Sequence, residues 1–307
     1  MKLFGLFLCL SSLVFSQNQY PKDYFRSPLD IPLQLSGNFG ELRPNHFHSG
    51  FDFKTQQKEG LAVYAAAEGY VSRIKIAVNG YGKAIYITHP NGYTTVYGHL
   101  QSGAGTVEKR IKAEQYLAKS YEIDVYLPVN DLNVSKGELI ALSGNTGGSD
   151  GPHLHFEIRD TASEKIINPM FFGFDSVITD SKRPMLSNLL VYPLGKNTTV
   201  NQAQRPVAVA ISQQDDGSYI AEKVLVNGSV GFGITAFDYD DVSWNGNGIY
   251  KVQTFKNGKL DFQYQFDTFS FDETRYVNAL IDYGRGQKKG RAAQKIFAAK
   301  PYPVRII

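Results

Sequence analysis

Short runs of β-branched and aromatic residues, separated by turns that contain glycine, fill the sequence from Phe39 to about Ile158. Runs of this kind predict strands, and five of them lie at residues 61–67, 70–78, 83–88, 93–98 and 139–143. Pro90-Asn91-Gly92 separates two of these runs and predicts a hairpin turn. The pattern therefore indicates a mainly β region that is built on an antiparallel sheet.

Residues 106–121 interrupt this pattern. The segment TVEKRIKAEQYLAKSY contains no glycine, carries many charges and places apolar residues at loosely helical intervals. It predicts a helix inserted between strands. Two placements fit this helix equally well: the rim of a groove, or a surface position without contact to a ligand.

The composition changes between about residues 168 and 184, and an alternating pattern begins again after that. Residues 260–267 alternate apolar and polar positions directly after the Asn257-Gly258 turn, which is typical of a half-buried strand. Similar runs lie at residues 206–211, 231–237 and 276–281. We therefore predict an immunoglobulin-like β-sandwich in the C-terminal part, which contains no histidine.

The N-terminus has the pattern of a secretory signal peptide. Lys2 precedes an apolar run over residues 3–15, and Ser16 provides a small residue at the expected cleavage point. The run is shorter than the roughly 20 apolar residues of a membrane-spanning helix, so cleavage and export are expected. Cys9, the single cysteine, is preceded by Leu8, which makes a lipoprotein signal the weaker alternative.

Composition and charge exclude several classes of protein. The chain is 42% hydrophobic and 20% charged, as in ordinary globular proteins rather than disordered ones. Without Cys9 the mature chain has no thiol, which excludes disulfides and a cysteine nucleophile. The formal net charge of +3, or +2 after loss of Lys2, does not indicate a nucleic-acid-binding protein.

All six histidines lie between positions 46 and 155, and their spacing suggests a metal site. In His48-Ser49-Gly50-Phe51-Asp52, a loop with a glycine can fold an imidazole and a carboxylate onto one cation. In the predicted strand around His153-Leu154-His155, the two histidines face the same side because strand residues two apart share a face. Two histidines lining a wet groove without a metal remain an alternative.

Catalytic zinc usually has three protein ligands and an open position for water. His48, Asp52 and His155 would give that number, which would leave His153 and His99 available for proton transfer. Because zinc lowers the pKa of water to about 7, an imidazole is well matched to accept its proton.

Several separate motifs resemble the lysostaphin-type (LytM-like) zinc metalloendopeptidases of peptidoglycan. The resemblance covers roughly residues 36–159 and rests on these segments: His48-x-x-x-Asp52, Ala65-Ala66-Ala67-Glu68-Gly69-Tyr70-Val71, Gly80-Tyr81-Gly82, Tyr97-Gly98-His99-Leu100, Gly144-Asn145-Thr146-Gly147 and Gly151-Pro152-His153-Leu154-His155-Phe156-Glu157. It implies that one zinc ion is bound by His48, Asp52 and His155, and that His153 and His99 form the catalytic pair. The segment between Leu100 and Leu139 is longer than in compact members of the family.

We therefore predict three segments: a signal peptide at 1–16, a zinc metallopeptidase domain at 17–175 with its core at 36–159, and a β-sandwich domain at 176–307. The expected function is an exported endopeptidase that cuts peptidoglycan stem peptides or cross-links in the periplasm or cell envelope, with secretion left open. The alternative is a non-catalytic wall-binding protein or an activator of cell-wall amidases, since some relatives lack the ligands. An envelope protein could also bind the sandwich.

Other candidate residues receive simpler interpretations. His46 is expected to be a groove-lining or solvated imidazole, and His89 a polar residue beside the turn. The family resemblance would place Asn38 near the groove, where it could contact substrate. The aspartates at 238, 240 and 241 are expected to form an exposed acidic turn rather than a calcium site.

Overall fold

The computed structural model describes residues 20–285 and 292–298. The expected signal peptide and Cys9 lie outside these residues. Among the helices in the described part, none is both long enough and apolar enough to cross a membrane.

A twisted antiparallel sheet forms the centre of the N-terminal half, as predicted. Its main strands run in the order β1-β4-β13-β8-β7-β6-β10, and shorter strands extend it, with β11 on β6 and β14 on β13. A smaller sheet has the order β5-β12-β9. The strands are β1 (Leu35–Gly37), β2 (Leu42–Arg43), β3 (His46–Phe47), β4 (Phe51–Lys54), β5 (Ala62–Tyr64), β6 (Gly69–Ile76), β7 (Lys83–Thr88), β8 (Tyr93–Gly98), β9 (Ser102–Gly103), β10 (Ile123–Tyr126), β11 (Asn133–Val134), β12 (Leu139–Leu142), β13 (His153–Asp160) and β14 (Ile166–Ile167).

All five strands predicted in this half are present, and the predicted hairpin turn joins β7 to β8. Strand β13 lies in the interior of this sheet, with β4 on one side and β8 on the other. Its residues Leu154, Phe156 and Ile158 are completely buried in the main hydrophobic core. The residues between them therefore face the opposite side of the sheet.

The inserted helix α1 (Gly105–Ala118) confirms the predicted helix but ends three residues earlier. Lys119 adopts a left-handed conformation with φ of 50°, and its N–H bonds to carbonyls of the last turn, which terminates the helix. Val107 and Ile111 are buried, whereas Tyr116 and Leu117 are exposed. The residues lining the groove described below come from other segments, which favours the surface placement of this helix.

The C-terminal part is also mainly β. A four-stranded sheet has the order β17-β15-β21-β25, and two-stranded ladders join β16 to β20, β18 to β19 and β22 to β23. The strands are β15 (Met185–Pro193), β16 (Thr199–Val200), β17 (Val207–Val209), β18 (Ile211–Gln213), β19 (Tyr219–Ala221), β20 (Val226–Asn227), β21 (Val230–Phe237), β22 (Lys251–Lys256), β23 (Lys259–Gln265), β24 (Thr268–Phe269) and β25 (Gln294–Lys295). The hairpin at Asn257-Gly258 is confirmed, while the immunoglobulin-like sandwich stays a prediction.

The main hydrophobic core contains residues of both halves, while the sheet around β15 has smaller cores of its own. Strand β24 pairs with β14, and the Phe47 ring packs on Phe266 and Phe269 with centroid distances of 5.2 and 5.6 Å. The amide of Asn168 donates a hydrogen bond to the Phe266 carbonyl at 3.2 Å. Burial of these aromatic rings couples the β22–β23 hairpin region to the segment that precedes His48.

The strand predicted at residues 276–281 is wrong. The chain forms short 3-10 helices at Pro169–Phe172, Phe174–Ser176 and Thr274–Tyr276, and the last continues into helix α2 (Val277–Leu280). Val277, Leu280 and Ile281 are buried together, at spacings of three and four residues. That spacing places them on one side of a helical turn, so the apolar run follows a helical period rather than a strand period.

His89 takes part in the turn as expected of a polar turn residue, but its side chain has a second role in the core. Its backbone carbonyl accepts a turn hydrogen bond from Gly92, but its ring is buried. Nδ1 donates to the Glu68 carbonyl at 2.7 Å, and Nε2 lies 2.8 Å from the Thr95 hydroxyl. Burial lowers the pKa of His89 to about 4. The imidazole is therefore a neutral, hydrogen-bonded part of the core.

This burial predicts acid sensitivity. The folded pKa of His89 lies below the unfolded value of 6.5, so its contribution is complete above pH 6.5 and is lost as the pH falls towards 4. We expect His89→Gln to have a lower free energy of unfolding than wild type at pH 7. Between pH 7 and pH 4, its free energy of unfolding should fall by about 3 kcal/mol less than that of wild type. Urea denaturation of both metal-free proteins at several pH values measures this difference. An equal fall in the free energy of unfolding with pH for the two proteins would contradict the prediction.

Candidate active site

Three side chains from separate segments meet beside the centre of the sheet: His48, Asp52 and His155. His48 follows β3, Asp52 lies in β4, and His155 stands directly opposite Asp52 in β13. The His48 Nε2 atom lies 3.1 Å from both Asp52 Oδ1 and His155 Nδ1, and that Nδ1 lies 2.8 Å from the same carboxylate oxygen. All three residues are buried.

Gly50, between His48 and Asp52, lies very close to the backbone of β13. A Cβ atom at position 50 would lie only 2.2 Å from the carbonyl oxygen of Phe156 in β13. Any side chain would push the loop away from this strand. The glycine therefore lets the segment approach β13 closely enough for His48 to reach the carboxylate of Asp52.

Hydrogen bonds fix which nitrogen of each imidazole faces the cluster. His48 Nδ1 lies 2.7 Å from the Asn38 carbonyl and must donate to it, because a carbonyl oxygen only accepts. The Nε2 lone pair of neutral His48 then faces Asp52. His155 Nε2 donates to Glu157 Oε1 at 2.8 Å, so its Nδ1 faces the cluster. Hydrogen bonds of this kind orient histidine ligands in metal sites.

The pKa values of the three residues in the cluster are shifted in different directions. Burial lowers the pKa of His48 to about 4. Burial also acts to lower the pKa of His155, but hydrogen bonds to Asp52 and Glu157 outweigh it and raise the value to about 9. The pKa of Asp52 lies well below its usual range: burial opposes this shift, and the surrounding imidazoles outweigh burial. Asp52 is therefore an ionised carboxylate among imidazoles.

This donor set fits a zinc ion. Two imidazole nitrogens and one carboxylate oxygen are typical of catalytic zinc sites, and the three donor atoms lie within 4.8 Å of one another. Among the described residues, no other group of histidine, cysteine or acidic side chains has this arrangement. Two features therefore support the fit to zinc: the chemical type of the donor atoms, and the hydrogen bonds that turn one nitrogen of each imidazole towards the cluster.

His153 and His99 lie together next to this cluster, with ring centroids 4.6 Å apart. His153 Nδ1 donates to the Gly151 carbonyl at 2.8 Å, and its Nε2 lies 3.4 Å from Asp52 Oδ1. His99 Nδ1 donates to the Thr146 carbonyl at 2.8 Å. Burial, together with the neighbouring imidazoles, lowers the pKa of His99 to about 4. In their neutral forms both residues carry the lone pair on Nε2.

Arg43 is a part of the site that the sequence analysis did not identify. Its Nη2 atom donates to Asp52 Oδ2 at 2.6 Å and to Glu41 at 3.1 Å. These two carboxylates raise the pKa of Arg43 although burial opposes the shift. A Cβ atom at Gly37 would lie 2.2 Å from Nη2, so the neighbouring strand leaves room for the guanidinium. No spacing in the sequence links Arg43 to Asp52.

A second buried network lies behind His155 and is centred on Glu157. Its carboxylate accepts hydrogen bonds from Ser49 at 2.6 Å, Tyr81 at 2.5 Å and Arg159 at 2.6 Å, besides the bond from His155. The Tyr81 ring also stacks on His155 at 4.9 Å. Burial would raise the pKa of Glu157, but Arg159 and His155 lower it. The alternation His155-x-Glu157-x-Arg159 is the sequence signal for this network.

A groove of about 960 Å³ opens onto the site. Asp52, His99 and His153 line it together with residues of the C-terminal half, Trp244 and Asn245. His46 is exposed and lines the same groove, as predicted.

Asn38 uses its side-chain amide within the protein, with Nδ2 donating to the Gly248 carbonyl at 2.8 Å and Oδ1 accepting from the Gly248 N–H at 2.9 Å. The substrate contact expected for Asn38 thus stays untested, while its carbonyl orients His48. The turn with three aspartates is not fully exposed as expected, because Asp240 is buried and caps the N–H groups of Val242 and Ser243.

Substitution of Glu157 tests the role of the network behind His155. In Glu157→Gln the shape is kept but the charge that orients His155 is lost, and Arg159 remains buried without a partner charge. We expect zinc affinity to fall about 10- to 100-fold and the free energy of unfolding to fall by about 3–5 kcal/mol. Competition with a chromophoric chelator and urea denaturation measure these values. Glu59→Gln, on an exposed loop, is the matched control. Unchanged zinc affinity in Glu157→Gln would contradict the orienting role.

Residues 46–126 and 122–169 match the model of Peptidase family M23. A protein of Haemophilus influenzae described as an uncharacterized metalloprotease is 33% identical over 174 residues, which cover 53% of this chain and 30% of that protein. Peptidoglycan DD-endopeptidase ShyC of Vibrio cholerae is 31% identical over 143 residues, covering 44% and 27% of the two chains.

Among solved structures, a zinc containing peptidase from Vibrio cholerae is 26% identical, with a TM-score of 0.36. The matched region covers 48% of this chain and 39% of that chain. The chain spans about 30% of the length of the curated relatives it matches. The match to Peptidase family M23 therefore spans residues 46–169, which contain His48, Asp52, His99, His153 and His155 of the candidate site.

Proposed function

We propose that this chain is an exported zinc-dependent endopeptidase that hydrolyses peptide bonds in the stem peptides or cross-links of bacterial peptidoglycan. The observation that carries the proposal is the meeting of His48, Asp52 and His155 directly beside His153 and His99 at a groove. The family match and the name of the Vibrio cholerae DD-endopeptidase support the reaction and the substrate class.

One zinc ion would be held by His48 Nε2, His155 Nδ1 and Asp52 Oδ1. When bound, zinc supplies a Lewis acid that polarises a carbonyl group and makes water more acidic. Arg43 holds the second oxygen of Asp52, so the carboxylate presents one oxygen to the imidazoles. Asn38 and Glu157 keep the two imidazoles in the required orientation.

His153 and His99 are the proposed catalytic pair. Each donates its Nδ1–H to a backbone carbonyl, which leaves Nε2 of the neutral ring as a proton acceptor. One Nε2 can accept the proton of the attacking water, and a protonated Nε2 can donate to the oxyanion that forms from the amide carbonyl. The hydrogen bonds to backbone carbonyls hold both imidazole rings in place, so the rings need not reorient during the reaction.

Export forms part of the proposal because peptidoglycan lies outside the cytoplasmic membrane and residues 1–16 have the pattern of a signal peptide. The periplasm or cell envelope is the proposed compartment. We also propose the division into a peptidase region at 17–175 and a C-terminal region at 176–307, with an envelope protein as a potential partner of the latter.

Digestion of purified sacculi tests the function. The mature protein with zinc should release soluble muropeptides, and the masses of the products identify the bond that is cut. Chelation should abolish release, and added zinc should restore it.

Two single variants separate metal binding from proton transfer. His155→Ala should lose both bound zinc and activity, because a ligand is removed. His153→Ala should retain zinc but lose activity about 10²- to 10⁴-fold, because only a proton acceptor is removed. Metal content by mass spectrometry and muropeptide release measure the two effects. If the wild type bound zinc and sacculi but released nothing from several wall chemistries, the function would instead be that of a wall-binding protein or an amidase activator.

A further inference from the structure

The single tryptophan of the chain is placed at the groove. Trp244 lies in the loop between β21 and β22 and is 78% exposed, yet it lines the same groove as Asp52 and His153. A large aromatic side chain that remains in water gains no stability for the folded chain from burial. An indole at the edge of a groove offers a rigid apolar face to a ligand at low entropic cost.

The loop that carries Trp244 is firmly attached to the peptidase region. Ser243 is buried, and its hydroxyl donates to the Leu35 carbonyl of β1 at 2.9 Å. On the other side of Trp244, Gly248 makes the paired hydrogen bonds to the side chain of Asn38. The Asn247 backbone also pairs with Asp238 in both directions, at 2.7 and 3.1 Å. These bonds hold the exposed position of the indole in place.

Lys54 lies beside the indole and connects it to the site. Its Nζ atom is 4.9 Å from the ring centroid of Trp244 and donates to the Ser243 hydroxyl at 2.8 Å. Lys54 is two residues after Asp52 in β4 and stands opposite His153 in the register with β13. Residues two apart on a strand share a face, so the ammonium group belongs to the same side as the proposed metal ligand Asp52.

The ammonium group of Lys54 has no ion-pair partner within the described part of the chain, although the carboxylate of Asp240 interacts with it electrostatically at longer range. No carboxylate of these residues lies within 4.0 Å of its Nζ atom. An ammonium group has three donors, and one is used by Ser243. The others are available to a ligand in the groove, where a carboxylate would form a charge-assisted hydrogen bond.

We propose that Lys54 and Trp244 form a subsite for a carboxylate-bearing residue of an acidic peptide substrate. The ammonium group binds the carboxylate, while the aliphatic part of the same residue packs on the indole. This inference deepens the proposed function, on which it rests for the identity of the reaction. The C-terminal region thereby provides one wall of the substrate groove.

Fluorescence of the only tryptophan provides a direct test that needs no catalysis. The full mature chain, freed of metal by chelation, is titrated with the N-acetylated peptide L-Ala-D-Glu-L-Ala-D-Ala, which carries two carboxylates and no cation, with its version in which both carboxylates are carboxamides, and with an N-acetylglucosamine oligomer. We expect the acidic peptide to change the emission and to bind about tenfold more tightly than the carboxamide. Equal binding of the two peptides, or a response to the sugar alone, would overturn the proposal.

Charge variants assign the effect to Lys54. Lys54→Met should bind the acidic peptide about tenfold more weakly and lose the preference over the carboxamide, whereas Lys54→Arg should keep the preference. Lys58→Met, on an exposed position of the following turn, removes the same charge and should behave as wild type. Trp244→Ala should weaken the binding of both peptides, which calorimetry measures. A preference that persists in Lys54→Met would refute the subsite.

Kinetics distinguish failure of the subsite from failure of the proposed function. If the wild type hydrolyses acidic peptides, Lys54→Met should raise KM with little change in kcat, because ground-state binding is lost. Hydrolysis with an unchanged KM would refute the subsite and leave the function intact. Binding that depends on Lys54 without any hydrolysis by the wild type would support the subsite and refute the endopeptidase.

Discussion

The structure depends on a central strand that is buried on both faces but is apolar on only one. Along β13, Leu154 and Phe156 fill the core, while His155 and Glu157 face the other way and are equally buried. Buried polar groups are costly unless each finds a partner. The neighbouring segments provide these partners, and the candidate active site is the result. The strand period of two residues, which predicted this strand from the sequence, therefore also places the polar side chains of the candidate site on one face.

Two buried carboxylates balance this polar face, and each is paired with an arginine. Asp52 binds Arg43 through one oxygen and faces three imidazoles with the other. Glu157 binds Arg159 and is separated from the cluster by the ring of His155. A buried pair that loses one partner leaves an uncompensated charge, so each arginine stabilises the ionised carboxylate that the site requires. His155 lies between two negative charges, which explains why its pKa is raised while that of His48 is lowered.

Local patterns predicted most of the N-terminal half, because strand period, turn residues and histidine spacing are properties of short segments. The five strands, the inserted helix and the shared face of His153 and His155 all depend on neighbours in sequence. The failures have a different origin. The segment at 276–281 is apolar enough for either period, and packing selected a helical turn. His89 bonds to the Glu68 carbonyl 21 residues earlier, and Arg43 binds Asp52 on another strand, so no periodic pattern near either residue reveals its partner.

The C-terminal region bears on the candidate site through the same long-range contacts. The carbonyl of Asn38 orients His48, and the side chain of Asn38 is in turn held by Gly248. Phe47, directly before His48, packs on Phe266 of the β22–β23 hairpin region. A proposed metal ligand therefore takes its orientation from a segment whose position depends on residues more than 200 positions later in the sequence. Because ligand geometry tolerates little displacement, the region after residue 176 acts as a structural support for the site as well as a wall of its groove.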